Sequence, residues 1–148
     1  MSGVPPARDQ GAIRKVLLVI LAAGLLGTLA ELVLLEHTEG IWQKAPLALL
    51  VGGLVSLGWH RIRPGRTALT AVRLVMILVL AGGPAGLLLH YRGNVEFELE
   101  MHPGASGLGL FWEAIRGATP ALAPGTMMLF GALGLLYTFG DPGSGAKG

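Results

Sequence analysis

The sequence predicts an all-α integral membrane protein, built as an antiparallel four-transmembrane-helix bundle, and three observations predict it. Four long apolar stretches occupy about residues 16–36, 45–60, 68–90 and 120–139. The chain of 148 residues is 52% hydrophobic and only 14% charged, whereas an average soluble domain is about 25% charged. The charges that remain gather in the short connections and at the ends. Crossing ~30 Å of hydrocarbon takes roughly 20 apolar residues, and each span must satisfy its own backbone groups. The runs are too continuous for barrel strands, which alternate inward and outward residues. Residues 1–148 are therefore expected to form a single transmembrane domain.

Residues 1–10, with Pro5 and Pro6, are expected to be a mobile arm. Arg14 and Lys15 then precede the first span. This run is longer than the 7–15 residues of a signal-peptide core, and Glu31 and Glu36-His37-Thr38-Glu39 follow in place of a small-residue cleavage site, so an uncleaved span is expected. The second span is glycine-rich, with Pro46 placed near its start, where a missing N–H is tolerated. His60, Arg61, Arg63 and Arg66 surround a Pro64-Gly65 turn. The third span begins near Ala68; Arg73 is expected to reach back to the headgroups, and Gly82-Gly83-Pro84 to weaken the helix. A longer external connection follows, about residues 91–119, and the fourth span closes the bundle before a mobile end at 141–148. Small residues four apart (Ala23/Gly27, Gly52/Ser56, Gly82/Gly86) allow close helix approach.

Orientation follows from basic residues. Arg8, Arg14, Lys15, Arg61, Arg63, Arg66, Arg73 and Lys147 fall on one side, and only Lys44, Arg92 and Arg116 on the other. The first side is expected to be cytoplasmic, with both termini there, in a multi-pass protein of the cell (plasma or inner) membrane. Acids sharpen the contrast: Glu36, Glu39, Glu96, Glu98, Glu100 and Glu113 all lie on the second side.

The external connection holds the most unusual pattern, Val95-Glu96-Phe97-Glu98-Leu99-Glu100-Met101-His102. Strict alternation predicts a short extended segment with Glu96, Glu98, Glu100 and His102 on one face. Leu108 to Arg116 reads as an amphipathic helical turn, with Phe111, Trp112 and Ile115 against the interface and Glu113 and Arg116 in water. Glu31 lies about one turn inside the outer boundary, where an ionised carboxylate in lipid is costly, so it is expected to face the bundle interior, to hydrogen-bond a neighbour or to be protonated. Topology would gather an outer layer of Glu31, Glu36, His37, Glu39, His90, Glu96, Glu98, Glu100 and His102. Carboxylates and imidazoles together suit a divalent or transition-metal ion, so these nine are the candidate metal ligands. His60 falls on the opposite side, outside this layer.

Cysteine is absent, which excludes disulfides and thiolate chemistry, and no nucleophile–base–acid arrangement is legible. The expected role is non-catalytic, as an accessory, assembly or interaction subunit. Cation binding or transport through the outer Glu/His layer is the alternative, and a membrane-embedded enzyme a second one. The expected partners are the lipid bilayer and another membrane protein or a second copy. The net charge of +2 flanks spans instead of forming a patch, so no nucleic-acid partner is expected.

Overall fold

A computed structural model describes residues 7–117 and 124–141, with side chains from residue 11 onward. Five helices follow in order: α1 Ala7–Leu34, α2 Gly40–Ile62, α3 Arg66–Met101, α4 Gly107–Arg116 and α5 Gly125–Thr138. Among the described residues there is no strand. Three helices are long and apolar enough to cross a membrane: Gly11–Leu34 within α1, all of α2 and all of α3. The fourth expected span is described only as α5, whose 14 residues rise about 21 Å, short of a ~30 Å core. Residues 120–123 of that span, with 1–6 and 142–148 of the expected mobile ends, lie outside the described residues. Ala7–Gln10, expected to be part of a mobile arm, are the first turn of α1.

Helix ends follow from local chemistry. The amide of His37 donates to Leu32 O at 2.9 Å and that of Glu36 to Val33 O at 3.0 Å, the two bonds of a Schellman cap. The cap residue, Glu36, has φ 51, a left-handed conformation normally taken by glycine. At the start of α2, Gln43 Oε1 accepts from the Glu39 amide at 2.7 Å and so satisfies one orphan donor. Because α2 begins at Gly40, Pro46 lies inside the helix instead of opening it, and the Trp42 carbonyl loses its usual i+4 donor. Pro64 stops α2, and the bond from the Leu69 amide to Gly65 O opens α3.

The largest departure from expectation lies in α3. The extended segment expected over residues 95–102 is helical through Met101. Alternation over so few residues is a local pattern, whereas a helix already running through the preceding apolar residues adds Glu, Leu and Met at little cost. The helical period separates the acids: Glu98 and His102 share one face and Glu96 and Glu100 another. Gly82-Gly83-Pro84 likewise stays within continuous helix.

The chain divides into two compact units, one of residues 1–79 and 130–148 and a second of residues 80–129. In the first, Leu21, Leu25, Leu50, Leu57, Val72, Met76 and Tyr137 form the buried core, flanked by Phe130 and Leu133. Close approach there depends on glycines. A Cβ on Gly134 would collide with the Met76 side chain, one on Gly24 with the Phe130 ring, and one on Gly53 would sit 3.2 Å from Leu25. Gly27, expected to be an approach point, has nothing within 4 Å of its would-be Cβ. In the second unit Gly83 faces Met128 and Gly86 faces Pro124. There too, the buried Asn94 donates from Nδ2 to Ala114 O at 2.8 Å, and Tyr91 meets Phe111 with ring centres 6.0 Å apart.

Most apolar side chains are not in these cores. Only 11% of the most apolar window of α1 is buried, and 22% in α2 and in α3. Val19, Leu26, Val55, Leu74 and Leu88 all point outward.

Candidate functional site

The nine candidate ligands fall four in the first unit and five in the second. Glu31 is exposed rather than turned into the bundle, Glu36 caps α1, His37 is half-buried and Glu39 precedes α2 with its side chain exposed. In the second unit His90 is half-buried within α3, and Glu96 and Glu100 are exposed on one face. Glu98 and His102 meet one turn apart, Oε2 to Nδ1 at 3.6 Å. They border an open cavity of about 780 Å³ between the end of α3 and α4 that also touches Glu113. Among the described residues no three of His, Asp, Glu or Cys gather closely enough to hold a metal ion.

A different set of polar groups converges in the first unit, on residues that the sequence did not single out together. Arg14 comes from the second turn of α1, His60 from the last turn of α2, Arg73 from the start of α3, and Tyr137 and Thr138 from the end of α5. The chain then turns at Gly140, whose φ of 66 suits glycine, and this places Asp141 among them. The Asp141 carboxylate is ion-paired with Arg14 and lies 3.1 Å from His60 Nε2. His60 is 4% exposed and Asp141 8%. Tyr137 completes the packing: the Arg14 guanidinium lies 5.3 Å over its ring, and the His60 imidazole meets that ring edge-on at 6.0 Å.

The physics of this cluster is that of a partly desolvated ion pair. Burying a carboxylate demands a cation and hydrogen bonds, and Arg14 and His60 supply both. Arg73, expected to reach for headgroups, instead donates from Nε to Thr138 Oγ1 at 3.3 Å and from Nη2 to Thr138 O at 3.2 Å. Thr138 O also accepts from the Asp141 amide at 3.4 Å, so this carbonyl at the end of α5 is held from two sides. Thr138 Oγ1 in turn donates a hydrogen bond to Leu135 O at 2.8 Å.

One atom is left over. With Nε2 facing Asp141, His60 Nδ1 is buried and has no hydrogen-bond partner among the described residues. An unmade bond at a buried polar atom costs about 1–3 kcal/mol, so the position calls for a partner. His60 also lines an open cavity of about 340 Å³, together with Arg14, Lys15, Arg61, Pro64 and Tyr137. The described residues thus bring three cationic side chains to the mouth of this cavity beside the buried imidazole.

Sequence reasoning missed this site because its members are far apart in the chain and individually ordinary. Asp141 reads as the start of a tail, His60 as part of a basic turn, and Arg14 as a flanking charge. Asp141 gains meaning only because the chain beyond α5 returns beside Arg14 of α1. Comparison with protein-family models, with curated proteins and with solved structures gave no match.

Proposed function

We propose that this chain is a multi-pass protein of the cell membrane that works by binding, as an accessory or assembly subunit, and not by catalysing a reaction. The observation that carries the membrane reading is the outward apolar surface of three helices of 24, 23 and 36 residues. Water would penalise that surface by roughly 25 cal/mol per Å², whereas lipid accepts it. The four-span topology, with both ends cytoplasmic, is supported by the ion pair from Arg14 near the start of α1 to Asp141 beyond α5. It is also supported by the short connections 35–39 and 63–65, which suit antiparallel neighbours. In this reading α5 is the described part of the fourth span, and the last turns of α3 with α4 form an external helical connection. The exposed Leu108 and Trp112 of α4 suit the membrane surface.

Binding is favoured over catalysis because the best-formed polar site is a charge cluster opening on a cavity. The test has two parts. Alkaline carbonate washing should leave the protein in the membrane pellet; release into the supernatant would end the membrane reading. Native mass spectrometry from mild detergent should show a protein partner, a second copy or retained lipid, and a bare monomer throughout would end the binding reading.

A further inference from the structure

We propose that the cavity over His60 is a binding site for a phosphate group. The inference rests on the membrane reading above for the source of that phosphate, but not for the chemistry of the site. Arg14, Lys15 and Arg61 line the cavity. The acid beside it, Asp141, is already engaged by Arg14 and His60. Among the described residues Lys15 and Arg61 have no acidic partner, so the cavity keeps a surplus of two positive charges. Arg14, although paired, has further N–H donors in its guanidinium fork, a geometry that matches phosphate oxygens.

The orphaned His60 Nδ1 decides between a general basic surface and a site. An imidazole whose Nε2 faces Asp141 still has a second ring nitrogen with hydrogen-bonding capacity. His60 lines the cavity, and its Nδ1 is the one buried side-chain polar atom without a partner among the described residues. The volume, about 340 Å³, lies within the range of small-molecule pockets and holds a phosphate with its adjoining ester. In a membrane-embedded chain this end lies at headgroup depth, where basic residues attract anionic lipid. The ligand is then the headgroup phosphate of such a lipid; a free phosphate offers the same chemistry.

The experiment titrates the full chain, in detergent, with three probes: short-chain phosphatidylglycerol, inorganic phosphate and a short-chain diacylglycerol without phosphate. Calorimetry reads affinity, and ¹⁵N-histidine NMR reads whether the His60 ring nitrogens shift. Saturable binding of phosphatidylglycerol alone assigns the site to lipid, and binding of inorganic phosphate as well assigns it to phosphate in general. No binding of either, or equal binding of the diacylglycerol, overturns the proposal. The double variant Lys15→Gln/Arg61→Gln should weaken binding by about tenfold or more, and Arg63→Gln/Arg66→Gln, outside the cavity, by less than about twofold. Equal losses in both would mean diffuse surface charge and would also overturn it. These variants keep the test open should His60→Ala fail to fold. Failure of the membrane reading is seen separately, as release by carbonate of a protein that still binds inorganic phosphate.

Discussion

At the scale of single residues, Asp141 is the most consequential side chain in the first unit. It is the one acid set against Arg14 and His60, and both it and His60 are buried. Asp141→Asn should destabilise the protein by about 3 kcal/mol, the lower end of the range for breaking a buried pair, because Arg14 keeps some contact with solvent. The check is a double-mutant cycle with Arg14→Gln, read by thermal unfolding in detergent. A coupling below about 0.5 kcal/mol would mean that the two groups act independently. This site was not legible beforehand. Charge bias put Arg14, His60 and Arg73 on one expected side, but nothing in their spacing announces that an aspartate beyond α5 turns back at Gly140.

At the scale of elements, glycine placement sets how closely helices approach. Gly134→Ala should cost about 1–3 kcal/mol, since the new methyl would collide with the Met76 side chain. Gly27→Ala meets open space and should be neutral or stabilising by up to about 1 kcal/mol, as alanine is the better helix former. Reversal of that order in melting temperatures would mean that α5 does not pack on α3 through Gly134. Sequence spacing pointed to Gly27 rather than Gly24, because small residues recur at several registers and only the partner helix selects one. The acidic stretch offers a second test. Spin labels at Glu98→Cys and His102→Cys should report a backbone rise of about 6 Å, against about 13 Å for an extended strand. Alternation suggested the strand; continuity with the apolar helix before it decided for helix, since propagation is easier than a new start.

At the scale of the whole molecule, the apolar surface and the charge bias together predict topology. Thr38→Cys, between α1 and α2, and Arg63→Cys, between α2 and α3, should label with an impermeant maleimide from opposite sides of a sealed membrane vesicle. Labelling of both from one side would remove α2 as a span.

Composition and run length by themselves predicted an all-helical chain with four spans, and three helices are long and apolar enough to cross a bilayer, while the fourth expected span is described only as the 14 residues of α5. These are properties of each segment's own solvent preference and backbone, and they need no partner. The tertiary structure alone decided which glycines touch and that Arg14, His60 and Asp141 meet. Such contacts depend on the rotation and register of helices distant in sequence, and hydropathy, which is blind to both, carries no record of them.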